Sequence, residues 1–505
     1  MKKVASLLLL VLAAQFGWSQ ENLASKYASL ITTADLKENL SILASDALEG
    51  RKTGTRGQKM AAAFISNHFE QLGLTAPVNG SYYMPVDLYS VAPGTIYVKA
   101  GVSTYANFNE IMYYGSVDSN GEITADIVFV GKGREEDYAN LIVKDKAVAL
   151  QSDPLSFNIM SALRKPVALA REKGAKMVFI IPSGKPEEFK TFAAQMQGFL
   201  SDGNLTLNKP DPASPNKGIF FLNQTAAEKV FNTTVIKLNV AAGAEPAKKM
   251  LTKVKPGKVS YKVAMNITNV KSENILGYME GTDKKDELVV ITAHFDHIGK
   301  NPGEEKDVIN NGADDDGSGT VSVLQIAKAF AQAKKEGKGP RRSILFMTVT
   351  GEEQGLFGSE YYSEHPIFPL ANTVVEINID MIGRRDPEHK DKPDYVYVIG
   401  ADKLSSELQE INERTNRENE KLVFDYTYND ENHPTNLYKR SDHWNFAKKG
   451  IPIVFFFDGI HEDYHQVSDE IGKIEFDLLA KRAKTAFHTA WEVANREERL
   501  IVDKN

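Results

Sequence analysis

From Leu288 to Ala293 the chain reads Leu-Val-Val-Ile-Thr-Ala, and comparable apolar runs recur at Ser343–Val349, Thr373–Ile382, Tyr395–Ile399 and Ile451–Phe457. Runs with little polar alternation predict strands buried on both faces. Between them, Val323, Ile326, Ala327 and Phe330 share one face of a helix predicted over 320–335, and a last helix is predicted from Ile474 to about Ala494. Strand, loop and helix repeated in that order predict an α/β domain with a mostly parallel central sheet and helices on both faces. Upstream, Leu36, Leu40 and Leu43, then Ala61, Phe64, Ile65, Phe69 and Leu72, carry the spacing of two helices. The glycine-rich stretch Leu48–Gly57 between them has no preceding strand and no phosphate-loop spacing, so it reads as a turn.

The texture changes from Tyr113 to Val240. Short strand-like runs at Asp126–Gly131, Ala147–Leu150, Met177–Ile181 and Gly218–Leu222 are separated by helix-like 167–173 and by a loop, Asp202–Lys217, rich in Asn, Pro, Asp and Gly. No cluster of ligating side chains falls in this stretch, which points to a structural or substrate-guiding domain. Beyond it, the alternation Val259, Tyr261, Val263 predicts a strand with one wet face.

Composition bounds the function. The 505 residues are 42% hydrophobic and 25% charged, enough apolar material for more than one domain. A net charge of -7 and a pI near 5.9 argue against a nucleic-acid partner. Lys2-Lys3, the apolar run Val4–Ala14 and small or polar residues up to Gln20 have the layout of a secretory signal peptide, and the run is short for a bilayer span. No later run is long and apolar enough to cross a membrane, so a soluble exported protein, periplasmic or secreted, is expected. The chain has no cysteine, so it is held together without disulfides.

Gly312-Ala-Asp314-Asp315-Asp316-Gly-Ser-Gly319 sets three carboxylates between glycines, which is costly as core and ordinary as a solvated turn. Its companions decide between those readings. His294-Phe-Asp296, Glu352-Glu353, Asn378-Ile-Asp380 and Tyr464-His465 each follow an apolar run, where a parallel sheet gathers its functional groups. Mixed imidazole and carboxylate donors suit zinc, with manganese or cobalt as substitutes; carboxylates alone would suit magnesium or calcium.

Read in order as HxD, GADDDGSG, GEExGLxGS, NxDM and YHxxxD, these motifs closely resemble the co-catalytic dizinc aminopeptidases of clan MH, which share a fold with glutamate carboxypeptidase II and the transferrin receptor. The resemblance covers about Leu36–Gly73 and Val259–Ala494, and Tyr113–Val240 resembles the mainly-β protease-associated domain often inserted in them. It implies a signal peptide at 1–20, an N-terminal part of the peptidase domain at 21–110, the inserted domain at 111–245 and the catalytic domain at 246–505. It further implies an exported aminopeptidase acting on peptides with two Zn2+ as cofactors. Asp315 would bridge the ions, His294 and Asp380 would complete one site, and Glu353 and His465 the other. Glu352 would be the general base, and Tyr464 would stabilise the oxyanion. Asp296 is expected to orient the His294 imidazole, and Asp469 to do the same beside His465.

The remaining candidates get plainer readings. His297 and His461 match no ligand position of that family, and His68, His365, His389 and His488 read as surface or helix residues. Asp314 and Asp316 are expected to hold their loop through backbone hydrogen bonds, and Ser318 to cap the following helix. Phe455–Phe457 reads as buried strand rather than pocket, and Arg440–His443 stays open between function and structure. Three alternatives accompany the aminopeptidase reading. A glutamate carboxypeptidase-like enzyme would need cations such as Arg384, Arg385 or Arg440 to hold a terminal carboxylate. A transferrin-receptor-like binding module is opposed by the intact ligands and Glu352. A glutaminyl cyclase fits the inserted domain and complete two-metal set less well.

Overall fold

The computed structural model describes residues 23–504 apart from 157, 202, 215–216, 244–247 and 302–305, so the expected signal peptide lies outside the described residues. Leu88–Val270 forms one compact unit, and the chain before and after it forms another.

In the larger unit, α1 (Thr33–Leu43) and α2 (Arg56–Gln71) precede the sheet. Thr32 starts α1 by accepting the Asp35 N–H at 3.1 Å. The strands are residues 275–279 of β1 (Gly257–Met279), β2 (Lys284–His294), β3 (Arg342–Val349), β4 (Thr373–Ile379), β5 (Tyr395–Ile399), β6 (Val423–Asp425) and β7 (Ile453–Phe457). Their order is β6-β5-β7-β4-β2-β3-β1. The four central strands β7, β4, β2 and β3 are mutually parallel, whereas β1 runs antiparallel to β3 and β5 antiparallel to β7. The expected mostly parallel sheet is therefore present.

Alternate residues of these strands feed two cores. Val289, Ile291, Ile344 and Phe346 pack with Leu40 of α1, Ile65 of α2, Phe330 of α3 (Gly319–Lys335), Leu408 of α5 (Ser406–Glu418) and Leu479 of α7 (Phe476–Asn495). Leu288, Val290, Leu345 and Met347 pack with Tyr362 of α4 (Phe357–Glu364) and Phe446 of α6 (His443–Ala447) on the other face. Each fully buried side chain of this kind contributes about 1.5–3 kcal/mol. The sheet, not the loops, therefore fixes where each strand ends and where the candidate ligands begin.

His488 lies on helix α7, within the surface-or-helix reading, and is buried there. Burial, with Lys484 adding, pushes its pKa down to about 4. Folded His488 thus stays neutral where the unfolded chain, titrating near ~6.5, takes up a proton. The unfolded state binds more protons in that window, so stability is lost as pH falls from about 6.5 to 4, by up to ~3 kcal/mol. His488→Gln is expected to flatten the pH dependence of the denaturation midpoint there; equal slopes for both proteins would refute this.

The Leu88–Val270 unit has its own sheet. Strands 122–129, 147–152, 177–182 and 219–222 are neighbours and parallel, flanked antiparallel by 111–114 and by residues 257–262. Parallel neighbours need crossovers, and the unit carries helices Ile159–Glu172, Pro186–Ser201, Gln224–Phe231 and Val235–Gly243. Its helical content therefore exceeds the mainly-β texture expected of it. Its cores lie on both sheet faces, one around Phe179, Phe220 and Tyr261, the other around Val148, Leu150 and Ile180.

Candidate metal centre

The carboxyl ends of β2, β3, β4 and β7 open towards one place. His294 ends β2, Glu352 and Glu353 follow β3, Asp380 follows β4, and the segment 458–469 follows β7. The fifth contributor is the loop 310–318, which enters α3.

That loop is held from outside the sheet. Arg51, wholly buried in the turn between α1 and α2, donates to four carbonyls: Phe295 O at 2.9 Å, Leu43 O at 2.6 Å, Asn311 O at 2.7 Å and Gly312 O at 2.9 Å. Asp316 accepts the N–H groups of Gly319 at 2.8 Å, Met381 at 3.1 Å and His294 at 3.2 Å, and so laces the loop to two strand ends. Asp314 accepts the Gly383 N–H at 2.6 Å. Both flanking aspartates thus hold backbone, as expected. Ser318 does not cap α3: its hydroxyl donates to Asp314 O at 2.9 Å, and the Asp316 carboxylate takes the first helical N–H instead. Gly319 is required by packing, since a Cβ there would lie 2.2 Å from Ile379 O.

Asp315 is thereby placed between two imidazoles. Its Oδ1 lies 3.2 Å from His294 Nε2 and its Oδ2 3.1 Å from His465 Nε2. Asp380 Oδ1 is 3.5 Å from His294 Nε2, and Glu353 Oε2 is 2.9 Å from His465 Nε2. Ligands about 2.0–2.1 Å from a tetrahedral zinc stand about 3.3 Å from each other, which these separations match on both sides of Asp315. Asp315 Oδ2 and His465 Nε2 are buried without a hydrogen-bond partner. Burial would lower the His465 pKa, but Asp315 and Glu353 outweigh it and push it up to about 10. The pocket calls for positive charge, and the donor set fits zinc.

The orienting contacts differ from expectation. His294 Nδ1 meets the main-chain carbonyl of Asp296 at 3.0 Å, while the Asp296 carboxylate is 3.9 Å away and instead accepts from Thr53 Oγ1 at 2.7 Å and the Glu352 N–H at 3.2 Å. Asp469 grips the amides of Asp314 at 3.0 Å and Asp315 at 3.1 Å, so it holds the loop rather than the His465 imidazole. Ser441 donates to Asp380 Oδ2 at 2.6 Å, which gives the open segment Arg440–His443 a part in the centre; His443, stacked on Phe455 and donating to Tyr438 O, is packing.

The sequence of residues 274–490 matches the description Peptidase family M28. Among curated relatives, a probable glutamate carboxypeptidase of Arabidopsis thaliana is 25% identical over 399 residues, 70% of this chain and 56% of that protein. Aminopeptidase YwaD of Bacillus subtilis (strain 168) is 28% identical over 240 residues, 46% of this chain and 47% of its own length. The chain thus spans about half the length of these relatives. An aminopeptidase from Aneurinibacillus sp. strain AM-1 shares the fold, with a TM-score of 0.56 at 19% identity, over 95% of this chain and 98% of that one.

Every expected ligand lies inside the matched segment, whereas Arg51 lies outside it. The centre also holds two histidines that match no ligand position of the resembled family. His297 is buried, its Nδ1 2.7 Å from Glu353 Oε1, the oxygen not facing His465. Its place three residues after His294 was the available signal. His461 is equally buried, against Asp314. His389, away from the centre, is buried on Asp386 rather than exposed.

A small cavity of about 40 Å³ adjoins the ligands, walled by Met381, Leu437, Phe455, Phe457, Ile460 and Tyr464. Phe455 and Phe457 are therefore both buried strand and cavity wall. Glu352 faces this space, its Oε2 3.9 Å from His294 Nε2. Burial raises its carboxyl well above the usual range, His294 opposing and Asp380 and Asp442 adding. Burial, then Asp315 and Glu353, raise the Tyr464 phenol well above its usual value, so it keeps its proton at neutral pH.

Proposed function

We propose that the protein is an exported two-metal aminopeptidase that removes N-terminal residues from peptides. The observation that carries the reading is the Asp315 carboxylate, whose two oxygens face different imidazoles, each backed by a further carboxylate. His294, Asp315 and Asp380 would hold one zinc ion and Asp315, Glu353 and His465 the other, with manganese or cobalt as substitutes. A bound pair would supply Lewis acidity towards a peptide carbonyl and an attacking water. Glu352, with its raised pKa, accepts the water proton as the new C–O bond forms and returns it to the leaving amine as the C–N bond breaks. Tyr464 donates its O–H to the carbonyl oxygen as charge builds there. The Leu88–Val270 unit is read as the inserted protease-associated domain, starting upstream of the change in sequence texture.

One observation favours a second reading, a carboxypeptidase. Arg384 is buried against Asp463, and Arg385 is paired with Asp394 and Glu475, but Arg440 lines the cavity with no ion pair among the described residues. A substrate carboxylate would suit it, and one relative is named a probable glutamate carboxypeptidase.

The test is hydrolysis of a panel of aminoacyl-nitroanilides and of N-acetylated peptides, before chelation, after it and with zinc restored. Cleavage of free-amine substrates alone, lost on chelation and regained with zinc, is expected. Cleavage of the blocked peptides alone would move the assignment to the carboxypeptidase, and zinc-loaded protein inert on both would end the peptidase reading.

A further inference from the structure

Asp314, Asp458 and His461 form a third buried group with ligating atoms within 4.8 Å of one another, and Asp458 Oδ1 has no hydrogen-bond partner. Two observations argue against a third metal there. The Asp463 N–H points into His461 Nδ1 at 3.2 Å, so the ring proton sits on Nε2, 3.0 Å from Asp314 Oδ2. A protonated nitrogen donates to a carboxylate and does not ligate a cation. Arg482 Nη1 also lies 3.3 Å from Asp458 Oδ2 and brings a positive charge to the group.

We propose that His461 is a positioning residue that ties the segment carrying Tyr464 and His465 to the loop carrying Asp315. The inference rests on the two-metal reading. His461 receives a hydrogen bond from the backbone of Asp463, next to Tyr464, and gives one to Asp314, next to Asp315. The tie has work to do because His465 has φ +57°, a conformation a non-glycine residue keeps only when its surroundings enforce it. Asp469 fastens the far end of the same segment to the Asp314 and Asp315 amides, and the Asp463 carboxylate is held by Arg384 at 2.9 Å and Lys473 at 2.5 Å. His461 is the fastening on the near side. Without it, His465 is free to leave the φ that aims Nε2 at Asp315, while His294 and Asp380 keep their own supports from Asp296 O and Ser441.

The second ion, between Glu353 and His465, is therefore the one that His461 affects. The experiment is chelator-competition titration of zinc into metal-free wild type, His461→Ala and His461→Gln, with the melting temperature of each metal-free protein alongside. Wild type is expected to bind two ions. In His461→Ala one of the two affinities falls about 10- to 100-fold and the other stays, and His461→Gln, whose amide can still donate to Asp314, recovers part of the loss. Equal weakening of both ions, in step with a lower metal-free melting temperature, overturns the tie in favour of general destabilisation. Unchanged affinities in His461→Ala overturn it as well. Three ions in wild type and two in His461→Ala would make His461 a ligand instead. A wild-type count of one would overturn the two-metal reading and the tie with it.

Discussion

Glu352→Gln lowers kcat on an aminoacyl-nitroanilide by about 10²- to 10⁴-fold and leaves two zinc ions bound. Glutamine keeps the shape of the side chain but cannot accept a proton from water at neutral pH. Metal content should not change, because Glu352 Oε2 stands 3.9 Å from His294 Nε2 and lies outside the close spacing of the ligands. The neighbouring Glu353 is different, with one oxygen 2.9 Å from His465 Nε2 and the other 2.7 Å from His297 Nδ1. Substrate binding draws on the cavity wall rather than the base, so KM should move by no more than a few-fold. The decisive pair of measurements is kcat and zinc per chain on the same preparation. A variant within a factor of ten of wild type, or one that loses zinc in step with activity, would remove Glu352 from the role of base.

Asp315→Asn acts by another route and should abolish activity together with metal binding. An amide offers one oxygen where the carboxylate offers two, and its NH2 group would face an imidazole nitrogen it cannot replace as a bridge. In the proposed two-metal centre both sites share Asp315, so one substitution would cost each of them a ligand. Wild-type protein gains stability from zinc as RT ln(1 + [L]/Kd), about 4 kcal/mol at a thousandfold excess over Kd; the variant should show little of that rise. The metal-free variant should be less stable than metal-free wild type, because burial works to raise the Asp315 carboxyl but the facing His294 and His465 imidazoles hold it well below its usual range, and the amide loses that pairing. Melting curves of both proteins with and without zinc check this, and a zinc-induced shift in Asp315→Asn equal to that of wild type would show that Asp315 bridges nothing.

The sheet was legible because strands buried on both faces cannot alternate, so β2, β3, β4 and β7 stand out as apolar runs. The candidate ligands stood out for a related reason: His294 and Asp380 come where an apolar run ends, and Glu353 and His465 lie in the loops that follow two others, while Asp315 stood out only by its glycine-bounded run of aspartates. What escaped was whatever depends on two distant segments meeting. His297 and His461 look like spare histidines until Glu353 and Asp314 are placed beside them. The capping carboxylate of α3 was assigned to the wrong neighbour because Ser318 and Asp316 are both good caps in sequence, and only the turn of the loop picks Asp316. The start of the Leu88–Val270 unit was hidden for a simpler reason. It falls inside one long strand, Tyr83–Ala100, where no turn residue marks a change.

Arg51 has a meaning for how the molecule comes into being. Its guanidinium joins carbonyls up to 261 residues away in sequence, with the whole Leu88–Val270 unit synthesised in between. Such a contact of high sequence separation forms late, since the entropy of closing a long loop is lost before the contact returns anything. A nascent chain therefore carries its anchor long before it carries the loop to be anchored, and the candidate metal centre cannot set until nearly all of the polypeptide has been made. Under the proposed peptidase reading, that order of assembly would keep unfinished copies inert.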